Sequence, residues 1–440
     1  MTLSAYSTVP QSAPKPHGHF RWVICALLLF ATTINYMDRF VLGLVFPILR
    51  NDFGWNESDY ANILFCFEIA YAIGLVCFGR ILDWVGTRKG FTSAVVVWSL
   101  AAIGQAFMTT VAGFGSMMFM LGLGESGVFP AAVKTTAEWF PKAERALVAG
   151  IFNAGSNVGA ITAPILVPWL CGKYGWPWAF IVVGSFGFLW VFLWLLFYQI
   201  PAKSKHLKPA ELAHIEKDPP QLITQKIPWI KLLGLRQTWA FIVAKFMTDA
   251  VWRWYFYFMP LFLVDIYGMN IKEFAWPLVV IYVVADMGSV TGGGLSSWFL
   301  RQGWSTNAAR KTAMLICSIA VVPVAFSTTF HNQWLAVALV AMAAAAHQGF
   351  SSNIFTTVSD MFPKSAVASV VGLGGTAGCV GAMLLLYITK TLFEHLSPNA
   401  DKLPVYTVLF VIAGATYLIS LLFVQLISPK LKPVTQDQLA

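Results

Sequence analysis

Apolar residues run through this chain in long stretches separated by short polar segments. The stretches lie near 20–49, 58–82, 91–111, 113–139, 143–171 and 176–199, and again near 238–267, 273–300, 310–330, 333–361, 364–395 and 403–428. A helix that crosses a bilayer needs about 20 predominantly apolar residues, and each stretch is of that order. The pattern predicts an all-α membrane protein with twelve transmembrane helices in two bundles of six. The expected division is a tail over 1–19, a six-helix bundle over 20–199, a polar central loop over 200–236, a second bundle over 237–428 and a tail over 429–440. The first tail is polar, with Pro and Ser, and lacks the basic start, apolar core and cleavage site of a signal peptide.

Composition agrees. Of 440 residues, 58% are hydrophobic and 11% charged, against about 25% charged in a soluble domain. The formal net charge of +9 does not point to nucleic acid, because the basic residues sit between the apolar runs. With both termini placed inside, the inner segments collect most of them, among them Arg80, Arg88, Lys89, Arg145, Lys203, Lys205, Lys208, Arg310 and Lys311. The outer segments keep only Arg50, Lys173, Lys272, Lys390 and Lys402. That bias predicts cytosolic termini. The six cysteines all fall in apolar runs and none forms a CxxC pair, so neither a disulfide framework nor a metal site is expected. Gly292-Gly293-Gly294 has no downstream Lys-Ser/Thr and is not a phosphate loop; it fits close helix packing. No hydrolase triad or cofactor motif is present.

The two halves repeat. Glu138-Trp139-Phe140-Pro141-Lys142 aligns with Asp360-Met361-Phe362-Pro363-Lys364, and the same register pairs Gly150 with Gly372 and Val158-Gly159-Ala160 with Val380-Gly381-Ala382. Earlier in each half, in a slightly shorter register, Gly54 pairs with Gly268, Asn56 with Asn270 and Ala61 with Ala275. Parallel repeats of six helices describe one large class of secondary transporter. The repeat sets Arg39 against Arg253 and Glu125 against His347, each near the middle of its span. Facing halves would bring these groups to one midplane cavity.

Ile34-Asn35-Tyr36-Met37-Asp38-Arg39 places a carboxylate and a guanidinium in the first span. Either charge at a bilayer centre costs roughly 2.5–3.5 kcal/mol. Two readings stand: a structural ion pair that fixes helix packing, or a proton site beside an anion site. Asp249 and Arg253, four apart on one helix face, are expected to pair with each other. Glu68 and Asp286 are further intramembrane carboxylates, suited equally to interhelix pairing and to proton transfer. His347 reads either as a packed neutral histidine or, with Gln348 and Asn353, as a hydrogen-bonding group for sugar hydroxyls.

Gly79-Arg80-Ile81-Leu82-Asp83-Trp84-Val85-Gly86-Thr87-Arg88-Lys89 resembles the signature loop of the major facilitator superfamily. Asp83 there is placed to cap a helix end and pair with a cytosolic arginine, Arg88 or Arg145, a contact that would hold one conformational state. The equivalent loop of the second half has Ser297 in place of Asp83. Asn35-Tyr36-Met37-Asp38-Arg39, Gly122-Leu123-Gly124-Glu125-Ser126 and Glu138-Trp139-Phe140-Pro141 resemble the anion:cation symporter branch. Lys245-Phe246-Met247-Thr248-Asp249-Ala250-Val251-Trp252, Ala285-Asp286-Met287-Gly288-Ser289 and Ala346-His347-Gln348-Gly349-Phe350-Ser351 are similar to its bacterial hexuronate transporters.

The resemblance implies the major facilitator fold in a bacterial inner membrane. It implies proton-coupled import of a small sugar acid anion, galacturonate or glucuronate, by a monomer that needs no cofactor beyond protons. It makes Asp38 and Glu125 the protonation sites, Arg39 the holder of the substrate carboxylate, and Tyr36 and Tyr71 lining residues. The wider branch often has an arginine two turns before the fourth-span Glu; here that position is Met118. Glu125 thereby lacks a charge partner that the branch supplies. Lys134 lies on the far side of a straight helix from Glu125 and would replace that partner only if Pro130 bent the helix. Another organic anion, such as an aldonate, aldarate or aromatic carboxylate, is the alternative substrate, and a membrane sugar-acid sensor the alternative of another class.

Overall fold

A computed structural model of the chain describes residues 18–216, 229–270, 272–362, 364–396 and 401–434. Within them, a few side chains at the motif loop and the start of the fifth and eleventh spans lie outside the described set, including the gate candidates Asp83 and Arg145. Most of the two predicted tails and much of the central loop lie outside it as well.

The described chain is almost wholly helical. The first half comprises α1 (Phe20–Phe53), α2 (Glu57–Val85), α3 (Thr87–Gln105), α4 (Val111–Glu125), α5 (Val128–Trp139), α6 (Lys142–Tyr174) and α7 (Trp176–Phe197). Two short helices come next, α8 (Pro209–Ile215) and α9 (Trp229–Leu233). The second half comprises α10 (Arg236–Tyr267), α11 (Ala275–Arg301), α12 (Thr306–Val321), α13 (Gln333–Met361), α14 (Lys364–Leu396) and α15 (Leu403–Ile427). Counting α4 with α5 as one crossing gives twelve spans. Nine, among the described residues, are long and apolar enough to cross a membrane by themselves. The remaining three, α2, α3 and α10, pack against them. Large apolar side chains such as Leu100, Phe107, Phe192 and Val290 point outward, where lipid replaces water.

The fourth predicted span is broken directly after Glu125. Pro130 supplies no N–H and its ring would clash with the carbonyl of Ser126, so the helix stops and restarts at Val128. Pro323 acts in the same way at the end of α12, where a 3₁₀ turn covers Val322–Phe326.

The repeat extends to backbone detail. Gly54 and Gly268 both end their helices in the left-handed region, at φ 69° and 64°. Two residues later, Asn56 accepts from the Asp59 N–H and Asn270 from the Glu273 N–H, and each acidic side chain returns a bond to its asparagine N–H. Packing repeats too. α1 lies on α6 as α10 lies on α14, α2 on α4 as α11 on α13, and α3 on α7 as α12 on α15. The α11–α13 contact depends on glycine: a Cβ on Gly292 would sit 2.2 Å from the Gly349 Cα. The two bundles meet through α2 with α14, α6 with α11 and α1 with α10.

The central segment is partly structured. Glu211 of α8 accepts from the backbone N–H groups of Phe20 and Arg21, and its Oε1 also takes the Arg21 guanidinium at 3.1 Å. Arg21 further pairs with Glu144 at 2.9 Å, so α8 ties the start of α1 to the start of α6.

Candidate functional site

A cavity of about 690 Å³ lies between the bundles. Tyr36 and Arg39 of α1, Tyr71 of α2, and Asn153 and Asn157 of α6 form one wall. Lys245, Asp249, Trp252 and Arg253 of α10, Asp286 of α11, and His347 and Gln348 of α13 form the other. Tyr36, Arg39, Tyr71, Arg253 and His347 sit near mid-span, and the lining continues through Gly150, Asn153, Lys245 and Phe355 toward the end of the molecule where α1, α6 and α10 begin, so the cavity faces that end.

The opposite end is sealed. Arg50 of α1 pairs with Asp265 of α10 at 2.5 Å and with Glu57 of α2 at 2.9 Å. Lys402, just before α15, bonds Glu57 at 2.5 Å and Asp265 at 3.1 Å, and the Tyr406 hydroxyl donates to Asp265 at 2.9 Å. Deeper in, Tyr60 donates to the Tyr257 carbonyl at 2.9 Å, and Phe40 packs on Phe256.

Arg39 is the centre of the first wall. Tyr36, one turn earlier, brings its ring to 5.1 Å from the guanidinium; Tyr71 and Phe67 of α2 lie at 4.6 and 5.4 Å. Its Nε donates to Glu125 Oε2, and Glu125 is fully buried. The sequence neighbour Asp38 is not its partner. Consecutive helical residues diverge by about 100°, and Asp38 turns off the cavity wall into the bundle. There neither of its oxygens has a hydrogen-bond partner among the described residues. The Asp38–Arg39 ion pair considered from sequence therefore does not form.

The second wall holds Arg253. Its Nη1 donates to both oxygens of Glu68, at 2.7 and 2.8 Å, and its guanidinium lies 5.5 Å from the ring centre of Tyr71. Arg39 and Arg253, equivalent in the repeat, thus meet on one phenol ring. The expected Asp249–Arg253 pair is replaced by two others, because Lys245 takes Asp249 at 2.6 Å and Glu68 reaches Arg253 from the opposite bundle. His347 stacks on Trp252, 4.6 Å apart and 4° from parallel, with Nδ1 at 2.7 Å from the Tyr417 hydroxyl. Its other ring nitrogen has no partner among the described residues. Gln348 lines the cavity beside it.

Other sequence candidates fall elsewhere. Asn353 is off the wall and donates to the carbonyls of Gly292 and Gly349, both at 2.9 Å, which ties α11 to α13. Lys134 donates to the Leu82 carbonyl at 2.8 Å, at the end of α2, and is not a wall residue: the break before α5 does not turn it inward. Arg88 donates to the Leu195 carbonyl at 2.6 Å and joins α3 to α7. Its repeat equivalent, Arg310, pairs with Asp360 at 3.0 Å and Ser296 at 2.7 Å. Asn153 and Asn157 are wall residues that no motif indicated; their i, i+4 spacing on one face of α6 was the available signal.

Twelve spans in two repeated bundles, with a central charged cavity, have a direct counterpart. The family model described as Major Facilitator Superfamily matches residues 28–386 and 303–439. The chain belongs to that superfamily. Among curated members it is 29% identical to the hexuronate transporter of Escherichia coli (strain K12), over 88% of this chain and 92% of that one. It is 27% identical to the galacturonate transporter of Dickeya chrysanthemi, covering 74% and 95%. The probable galactarate/D-glucarate transporter of Escherichia coli (strain K12) is 25% identical, covering 88% and 91%. These relatives agree with the resemblance drawn from the sequence. Among solved superfamily structures, a bacterial homologue of the human lysosomal transporter Spinster superposes with TM-score 0.74 at 17% identity, covering 97% and 99%. The Escherichia coli xylose transporter gives 0.71 at 15%, covering 95% and 99%. At those identities they support the fold alone. Superfamily membership makes the chain a multi-pass membrane transporter.

Proposed function

We propose that this transporter is a proton-coupled symporter that imports a hexuronate, galacturonate or glucuronate, by alternating access. The Lys and Arg bias supports cytosolic termini; in that orientation the cavity opens to the cytosol and the state described is inward-open. The observation that carries the reading is Arg39: a guanidinium on the cavity wall, caged by aromatic rings and already occupied by the buried Glu125. Glu125 takes only the Nε–H of Arg39, so a substrate carboxylate can bind the free Nη groups; two carboxylates then share one guanidinium in a low-dielectric interior, which favours a proton on Glu125. Anion binding and proton uptake are then one event. Asp38, buried without a hydrogen-bond partner, is the second group placed to exchange a proton. Tyr36 and Tyr71 frame the carboxylate; His347, Gln348 and the Trp252 face suit the hydroxyls and C–H face of the sugar. The named activities of the curated relatives support the substrate class.

A second reading has an observation of its own. Two guanidiniums on one ring, Arg39 and Arg253, could each take a carboxylate, which favours an aldarate such as galactarate. Competition of galacturonate, glucuronate, galactonate and galactarate against labelled galacturonate separates the two. For the coupling itself, Glu125→Gln is expected to lose proton-driven accumulation and to keep substrate exchange, because exchange releases no proton. Accumulation against a gradient by Glu125→Gln would remove that residue from the mechanism.

A further inference from the structure

Four carboxylates and three cations surround the cavity, and one pair among them differs from the rest. Arg39 is paired within its own bundle, by Glu125 of α4, and Lys245 within its own helix, by Asp249. Arg253 alone among these takes its partner from the opposite bundle: Glu68 of α2. Glu68 is completely buried, and the Tyr257 hydroxyl also donates to its Oε1 at 2.7 Å. Breaking the Arg39–Glu125 contact leaves the bundles where they are. Breaking Arg253–Glu68 removes a tie between them.

The position of the pair along the seam gives this consequence. Glu57, Tyr60 and Glu68 share one face of α2, with Glu57 and Glu68 about three turns apart. Glu57 bonds Lys402, Tyr60 bonds α10 through the Tyr257 carbonyl, and Glu68 bonds Arg253. Glu68 is the innermost of these contacts, where the sealed end meets the cavity, and Arg253 is itself a wall residue. An anion seated on Tyr71 beside Arg39 would meet this contact first, since the same ring carries Arg253.

We infer that Glu68 is a latch carboxylate: it holds the bundles together through Arg253 until the substrate carboxylate takes its place there, and it leaves as the protonated acid. The inference rests on the proposed anion symport. The exchange balances. The substrate carboxylate spans the two guanidiniums that share the Tyr71 ring, one oxygen toward Arg39 and one toward Arg253; one proton from the aqueous cavity joins Glu68 as it leaves, and the charge beside Arg253 does not change. The other titratable or charged groups that reach the pair are Tyr36 and Arg39 of α1, Tyr71 of α2 itself, Glu125 of α4, Tyr257 of α10 and Cys379 of α14. Of these, Glu125 is the one carboxylate, so its contribution has to be separated from that of Glu68.

The test uses the full-length protein and isothermal titration with galacturonate, glucuronate, galactonate and galactarate between pH 5.5 and 8.5. Each coupled proton steepens log Kd against pH by up to one, a tenfold loss of affinity per pH unit. Glu68→Gln keeps the shape and a hydrogen bond to Arg253 but removes the charge. It should bind the acid that wild type binds, with a slope lower by about one, and more tightly than wild type at pH 8.5. Tyr257→Phe removes one hydroxyl that holds Glu68 and should raise affinity several-fold at pH 8.5 with the slope retained. Glu125→Gln, measured alongside, should lower the slope independently. A wild-type slope in both Glu68→Gln and Glu125→Gln would overturn the proton-coupled reading as a whole. A wild-type slope in Glu68→Gln alone would overturn the latch and leave Glu125 in place. If Glu68→Gln does not fold, Tyr257→Phe decides: affinity at or below that of wild type at pH 8.5 contradicts the latch. Failure of wild type to bind any of the four acids would overturn the substrate class on which the inference stands.

Discussion

Arg39 is gripped by three rings and one carboxylate, so its shape matters as well as its charge. A lysine at that position keeps the charge and loses both the planar fork and the stacking. With a charged hydrogen bond contributing about 1.5–3 kcal/mol, Arg39→Lys should weaken hexuronate binding roughly tenfold to a hundredfold without unfolding the protein. Titration calorimetry beside thermal denaturation checks both halves of that statement. Gln348 and Asn353 give a sharper contrast. Gln348 is on the cavity wall, whereas Asn353 is spent on the carbonyls of Gly292 and Gly349. Gln348→Ala should raise Kd and leave Tm unchanged; Asn353→Ala should cost about 1–3 kcal/mol of stability and leave Kd within about twofold. The opposite pattern would return Asn353 to the binding site. The charged residues of the site were legible in the sequence as intramembrane charges, but their partners were not. Adjacency made Asp38 and Arg39 look like a pair, yet neighbours on a helix do not face each other. Spacing made Asp249 and Arg253 look like a pair, yet Lys245 and the distant Glu68 claim them. Partner choice across helices depends on rotation and register that a single chain does not display.

Helices and their ends were more legible, because local rules fix them. The matched Gly54 and Gly268 end α1 and α10, and the matched Asn56 and Asn270 cap the next turn of each half, as their backbone requirements demand. Pro130 announced a disturbance in the fourth span, and the chain breaks there. The effect of the break was not readable. It ends α4 at Glu125 and leaves Lys134 at the Leu82 carbonyl, because the orientation of a restarted helix is set by its neighbours. Gly292 illustrates an element-level prediction. Any side chain there meets the α13 backbone at Gly349, so Gly292→Val should separate α11 from α13 and lower Tm by several degrees. A Tm equal to that of wild type would mean that the two helices do not pack as described.

At the scale of the molecule, the twelve spans, the two bundles and the repeat were visible in the hydrophobic pattern, whereas the conformational state was not. That state is set by contacts between bundles, and a cluster of them gathers at the sealed end around Asp265, which bonds Arg50, Lys402 and Tyr406. Asp265→Asn combined with Lys402→Gln should therefore shift the population toward a form open at that end. Spin labels at the exposed positions Asp52 and Lys272 should then report a longer distance across that end; an unchanged distance distribution would show that the charge cluster does not hold it closed. The central claim is that entry of a sugar acid anion and entry of a proton are one event, imposed by a guanidinium that the anion must share with a buried carboxylate. Its most direct test is uptake of labelled galacturonate into proteoliposomes with and without an imposed pH gradient. Accumulation driven by an acidic exterior and abolished by a protonophore is the predicted result. Uptake that proceeds equally with no gradient would contradict it.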